Sequence, residues 1–155
     1  MRIHLIAIGT RLDQWVEQGY QEFAKRLSNE CALQLIEIPA AKRSKNVNLE
    51  KAVREEGQRM LAAIPKGAYT IALDVNGRPY STPQLAQQLE QWMHLGRDVA
   101  LLVGGPEGLA LECAQGADTA WSLSPLTLPH PLVRIVLAEQ LYRAWSIFKN
   151  HPYHR

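Results

Sequence analysis

The chain has 155 residues, 46% of them hydrophobic and 21% charged, a balance that suits one globular domain over 1–155 with a sizeable core. Its formal net charge is only +2, so total charge does not point to nucleic acid, and such a partner would need a local basic patch. No apolar run reaches membrane-spanning length, no signal-peptide pattern opens the chain, and Cys31 and Cys113 fall in no ligand-like spacing, so a reduced cytoplasmic setting is expected.

Residues 2–8 (RIHLIAI) read as a first strand ending at Gly9-Thr10. From Asp13, the positions Val16, Tyr20, Phe23 and Leu27 recur at helical spacing, predicting a helix to about Ser28. Residues 33–38 (LQLIEI) read as a second strand closed by Pro39, followed by a basic loop with Lys42, Arg43 and Lys45. Such a loop is ordinarily a solvated charge cluster. Leu49, Val53, Gly57, Met60 and Ile64 mark a second helix stopped by Pro65. Residues 69–73 (YTIAL) predict a third strand, with Asn76-Gly77 signalling a tight turn beyond it. Thr82 before Pro83 predicts an N-cap and a proline at the first helical position; that helix buries Leu85, Leu89, Trp92 and Met93 and stops at Gly96.

Residues 99–103 (VALLV) are apolar throughout, as in a central parallel strand, and run straight into Gly104-Gly105-Pro106-Glu107-Gly108. A short helix over 109–115 and a fifth strand over 119–123 follow. Strands alternating with helices predict an α/β fold with a mainly parallel sheet and flanking helices. Ligands in such sheets sit beyond the carboxyl ends of the strands. Three loops would meet there: those after Leu73, Val103 and Leu123.

The glycine loop is neither a P-loop, since no Gly-Lys-Ser/Thr follows, nor a dinucleotide fingerprint. Alone it is a tight strand-to-helix turn; with two other loops beside it, it offers exposed amides to a flat ligand. The loop Leu126-Thr127-Leu128-Pro129-His130-Pro131, just after Pro125, is stiffened by three prolines in seven residues and is too apolar for a mere surface connection. Pro131 fits the first position of the final helix, which carries Ile135, Ala138, Leu141, Tyr142, Ala144, Trp145 and Phe148 on a broad apolar arc. That arc is wider than one small core requires, which suggests a second subunit. Arg134 falls near its middle. Either its stem packs while its head reaches water, or it is aimed at a carboxylate or phosphate.

The histidines His4, His94, His130, His151 and His154 show no metal spacing, and no metal is expected. His130 could be a base, a hydrogen-bond donor or a helix cap. Cys113 reads as core rather than nucleophile. The tail from Lys149 to Arg155 joins basic groups to Tyr153 and a proline, a mixture suited to phosphates and base stacking, although chain ends commonly fray.

The glycine loop, the run LSPLTLPHPLVRIVLAEQLYRAWSI and the closing NHPYHR resemble the SPOUT class of methyltransferases, in particular its small bacterial members that act on large-subunit ribosomal RNA. The likeness covers essentially the whole chain, including AIGT, IPAAKRSKN, ALD and TPQLA. It implies methylation of N3 of a pseudouridine in 23S rRNA on the assembled ribosome, with S-adenosylmethionine as cofactor. It also implies a homodimer and a C-terminal trefoil knot. Carried over by motif, the cofactor would be held by Leu73, Gly104 and the segment Leu123, Ser124, Pro125, Leu126, Thr127 and Leu128. Candidates for proton transfer and charge stabilisation are His130, Arg134, Glu139 and His154. Lys42, Arg43, Lys45, Tyr153 and Arg155 would contact RNA. A non-catalytic ribosome- or RNA-binding module using the basic loop and tail is the alternative.

Overall fold

The computed structural model describes all of residues 1–155. Strands β1 (Arg2–Ile8), β2 (Ala32–Ile38), β3 (Tyr69–Pro79), β4 (Val99–Val103) and β5 (Thr119–Ser122) form one sheet in the order β2-β1-β4-β3-β5. Every neighbouring pair is parallel. Strand β4 lies in the middle and each of its residues is buried, as its unbroken apolar run requires.

Helices α1 (Gln14–Ala24), α2 (Leu49–Ala63), α3 (Thr82–His94), α4 (Leu111–Gly116) and α5 (His130–Phe148) cover both faces. Alternation along the strands divides the core. Ile3, Leu5, Ala7, Leu101, Val103, Ile71 and Trp121 face α1, α3 and α5. Ile6, Ile8, Ala100 and Leu102 face the other way, against Met60 of α2 and Cys113 of α4. Helix α5 packs between α1 and α3, which places its first turn beside the carboxyl ends of the strands.

Element boundaries differ from the sequence expectation where local hydrogen bonding takes over. Helix α1 ends at Ala24, four residues early, because the amides of Arg26 and Leu27 close back on Phe23 and Ala24 in tighter turns. The N-cap of α3 is Ser81 rather than Thr82. The Ser81 hydroxyl accepts from the Gln84 amide, and the Gln84 side chain accepts from the Ser81 amide, a reciprocal pair that Thr82 cannot make. The Thr82 hydroxyl instead donates to Gln140 of α5 at 3.1 Å. In α5 the first helical residue is His130, with Pro131 second and Pro129 as cap.

The larger departure lies in β3. Asn76-Gly77 does not make a hairpin-like turn; the strand continues to Pro79 with a bulge, so that Leu73 and Arg78 both register with Trp121 of β5. The Asp74 carboxylate accepts from the Asn76 amide at 2.9 Å and shapes the bulge. Gly77 then crosses the β5 backbone so closely that a Cβ would sit 2.7 Å from the Ala120 carbonyl carbon and the Trp121 nitrogen. Only a residue without a side chain lets β3 resume pairing there.

Gly77→Ala should therefore lift the far half of β3 off β5 and destabilise the protein by about 2 kcal/mol, the usual cost of overpacking. Urea denaturation followed by far-UV circular dichroism would measure it, and a loss below about 0.5 kcal/mol would show that the crossing has slack.

Candidate active site

The three strand ends leave one large cleft of about 860 Å³. Its walls are Leu73, Asp74 and Val75 from the β3 bulge, Val103 to Pro106 with Gly108 and Leu109 after β4, and Trp121 with Leu123, Ser124 and residues 126–131 after β5. Leu111 and Ala114 of α4 and Val133 of α5 complete it. Leucines, prolines and a tryptophan dominate, while polar groups are few: Asp74, Ser124, Thr127, His130 and exposed loop backbone. The size and mixture match a pocket for a flat, mostly apolar ligand with a few oriented polar groups.

The glycine loop is folded hard against its own strand. The Gly108 amide donates to the Gly105 carbonyl at 2.9 Å, closing a four-residue turn with Pro106 and Glu107 at its corner. Gly108 has φ +85°, and a Cβ on Gly104 would fall 2.3 Å from the Gly108 carbonyl carbon. No side chain fits at Gly104, so backbone forms that part of the wall. In the proline loop, the Ser124 hydroxyl accepts from the Leu126 amide at 2.9 Å and its carbonyl accepts from the Ser122 hydroxyl at 3.1 Å. Those bonds, with the fixed φ angles of three prolines, hold the loop without help from regular structure.

Of the cofactor-contacting residues expected from sequence, Leu73, Gly104, Leu123, Ser124, Leu126, Thr127 and Leu128 all line the cleft; Pro125 does not. Asp74 and Val75, from the loop expected after Leu73, line it too, as do Trp121, Leu109 and Leu111, which were not anticipated. The first two arrive through the β3 bulge, whose Asn-Gly signal reads as a turn. A leucine on a short helix carries no functional signal, yet Leu111 stands 65% exposed at the rim.

The four candidate catalytic residues do not converge. His130 lines the cleft, and burial, seconded by the nearby Arg134 cation, holds its pKa below the ordinary value of 6.5, with Glu107 opposing. The imidazole is thus neutral near pH 7 and able to accept a proton. Arg134 is almost completely buried. Its guanidinium pairs with Glu37 of β2 at 2.7 Å and donates to the Gly9 and Ile8 carbonyls at 2.8 and 3.3 Å. It does not snorkel; it is aimed at a carboxylate of its own chain. Glu139 binds Arg143 and accepts from the Tyr153 hydroxyl at 3.1 Å. His154 lies 3.4 Å from the Ser146 hydroxyl.

The tail is not frayed. Residues Pro152–His154 form a turn of 3-10 helix, and the Tyr153 ring meets Tyr142 edge-on at 4.6 Å with the Arg143 guanidinium 5.0 Å above it. Helix α5 advances about 27 Å from His130 to Phe148 at 1.5 Å per residue, and the tail folds back along it, so that Tyr153 stands at Glu139, about 14 Å along the helix from His130.

Among the expected RNA contacts, Lys42, Lys45 and Arg155 are exposed and belong to no ion pair, and Tyr153 sits half-exposed. Arg43 differs: its guanidinium is committed to Glu56 and Glu107, and so it is a brace rather than a free cation. Cys113 is core. Its thiol contacts the Gly57 carbonyl at 3.4 Å, and burial pushes its pKa up, which suppresses thiolate. No group of three metal-ligating side chains comes together, and no helix is long and apolar enough to cross a membrane.

Comparison with known proteins agrees with this geometry. A family model described as "Predicted SPOUT methyltransferase" matches residues 1–154. The chain is 60% identical over 155 residues to ribosomal RNA large subunit methyltransferase H of Thioalkalivibrio sulfidiphilus (strain HL-EbGR7), covering all of this chain and 99% of that one. Among solved structures, a methylase family protein from Haemophilus influenzae Rd KW20 superposes with a TM-score of 0.58 at 11% identity, over 99% of this chain and 70% of that one. A Legionella pneumophila methyltransferase in complex with the bound cofactor SAM gives a TM-score of 0.52 at 13% identity, over 94% of this chain and 66% of that one. The parallel sheet, its strand-end cleft and the whole-length match converge on one conclusion: the chain belongs to the SPOUT methyltransferase family.

Proposed function

We propose that the chain uses S-adenosylmethionine to methylate N3 of a pseudouridine in 23S rRNA on the assembled ribosome. It works in the cytoplasm as a homodimer of one 1–155 domain whose C-terminal third is threaded as a trefoil knot. The observation that carries the reading is the convergence of three rigid strand-end loops on one apolar cleft, in a chain 60% identical to a named large-subunit rRNA methyltransferase.

The cleft's donor set fits the cofactor. Leu73, Leu123, Leu126 and Leu128 line the cleft and would hold a flat base, the backbone around Gly104 and Thr127 would meet its polar edge, and Pro125 stiffens the loop from outside the wall. Asp74 is the one carboxylate lining the cleft, where it would offset the positive charge of a bound sulfonium. When bound, S-adenosylmethionine supplies an electrophilic methyl group on a sulfonium. The residues around it hold the acceptor nitrogen in line, and alignment of this kind contributes several kcal/mol.

An N3 that accepts a methyl group must give up its proton. The neutral imidazole of His130, at the cleft wall, accepts it. Arg134 lies one turn further along α5 and orients Glu37 and the end of β1, which sets the angle at which His130 enters the cleft. Glu139 holds Tyr153, and His154 with Arg155 approaches the nucleotide from the tail. Because Tyr153 is anchored at Glu139, about 14 Å along α5 from His130, the tail is placed to serve the cleft of a second copy. Lys42 and Lys45 supply phosphate contacts. The dimer forms on α5, whose Leu132, Val136, Trp145 and Phe148 remain partly exposed after packing on α1 and α3.

Calorimetry with S-adenosylmethionine separates this enzyme from a non-catalytic ribosome-binding module, which would give no heat. Gly104→Ala should lower cofactor affinity at least tenfold, because the glycine loop must open to admit the methyl group. Truncation after Phe148 should leave cofactor binding within about twofold and abolish methyl incorporation into ribosomes; unchanged turnover would refute the tail's role.

The His130 assignment makes a signed prediction. The active form is neutral, so the methylation rate should be flat above pH 6.5 and fall by about tenfold per pH unit below the depressed pKa of His130. His130→Ala should be slow and lack that acid limb. A limb that persists in the variant would assign the base elsewhere.

A further inference from the structure

The glycine loop carries a side chain that turns away from the cleft. Glu107 does not line the cleft, although Pro106 and Gly108 on either side of it do. Its carboxylate is gripped by Arg43 in a fork: Nε donates to Oε1 at 3.2 Å and Nη2 to Oε2 at 2.6 Å. The same guanidinium reaches Glu56 through Nη1 at 2.8 Å and also donates to the Ala41 carbonyl at 2.6 Å. Glu56 is 2% exposed on α2, and one of its oxygens takes the Ala41 amide at 2.9 Å. Its other oxygen lies 3.9 Å from where a Cβ on Gly105 would stand.

Helix α2, the basic loop and the glycine loop are thereby joined through one planar cation. A buried carboxylate is costly unless fully partnered, and here its partners are Arg43 and the Ala41 amide, both from the loop before α2. The glycine turn has the opposite need. It is short, exposed at Pro106, Glu107 and Gly108, and free of helix or strand on one side. Its internal bond from Gly108 to Gly105 fixes its shape but not its tilt on the end of β4. A two-point fork fixes tilt, because both carboxylate oxygens are held in one plane.

We infer that Arg43 and Glu56 are positioning residues for the methyl donor, holding the glycine loop through Glu107 at the tilt the donor requires. This rests on the reading of the cleft as the S-adenosylmethionine site. The strut would link two parts of the reaction, since Lys42 and Lys45 flank Arg43 on the loop proposed to contact RNA.

The test uses the full-length protein, calorimetry with S-adenosylmethionine, thermal unfolding, and steady-state methylation of ribosomes. Arg43→Lys keeps the charge opposite Glu56 but loses the fork. It should weaken donor binding about tenfold while the KM for ribosomes moves less than about twofold. Glu107→Gln, a substitution on the exposed loop that leaves the buried pair intact, should do the same with an unchanged melting temperature. The double variant should be no worse than either single one, as expected for groups acting as a unit. Glu56→Gln should weaken donor binding too, with a lower melting temperature because the buried partner is lost.

Donor affinity within about twofold of wild type in both Arg43→Lys and Glu107→Gln would overturn the inference, as would additive losses in the double variant. A raised KM for ribosomes with donor affinity held would overturn it in favour of Arg43 as a direct phosphate contact. No heat from the wild-type protein would instead overturn the reading of the cleft, and the strut's role with it.

Discussion

The cradle depends on a cation removed from water. Arg134 sits one turn into α5, near the helix N-terminus where the dipole disfavours positive charge, and almost none of it is exposed. The penalty for such burial is several kcal/mol and is recovered only with near-complete hydrogen bonding. Glu37 and the carbonyls of Ile8 and Gly9 provide it. Those three partners belong to the ends of β1 and β2, so the geometry that satisfies the arginine also sets where α5 begins. The proline loop must end where α5 begins. One ion pair therefore fixes the far wall of a cleft whose near wall is the glycine turn.

Rigidity comes from different chemistry in each wall. The proline loop is stiff through ring closure and a serine turn, the glycine turn through a backbone bond and the Arg43 fork, and the β3 bulge through Asp74 and the close crossing at Gly77. Each wall also rests on the hydrophobic core, whose two halves are separated by the sheet: Leu73 and Leu123 pack on one half and Leu109 on the other. The core supplies the platform. The loops can then expose apolar surface, such as Leu126 and Leu111 at the rim, without losing their shape. Exposed leucines on rigid backbone favour ligand binding because little conformational entropy remains to be lost.

Much of this was legible from residue order. An unbroken apolar strand running into consecutive glycines, and a proline-rich loop feeding a long helix, located two walls of the cleft. Arg134 announced itself by standing on an apolar arc. What escaped was long-range. Asn-Gly has the same local preference in a turn and in a bulge, and only the β5 backbone pressing on Gly77 decides between them. Ser81 prevails over Thr82 as a cap because Gln84 is placed to return the bond. Arg43 read as part of a solvated basic cluster because its two carboxylate partners lie 13 and 64 positions further along the chain.

The ion pairs also bear on how a nearly neutral protein meets a polyanion. Arg26, Arg43, Arg134, Arg143 and Lys149 are each bound to a carboxylate of their own chain. With a net charge of only +2, such pairing limits the long-range field that the protein presents to a ribosomal RNA. Lys42 and Lys45 remain unpaired on a loop tethered to the glycine turn, and Arg155 remains unpaired at the end of the tail. Arg2, Arg11, Lys51, Lys66 and Arg78 are likewise in no ion pair, so free cations are not confined to the segments around the cleft. With a net charge of +2, each phosphate contact adds only its own share of counterion release, and reading of sequence falls to contacts with bases.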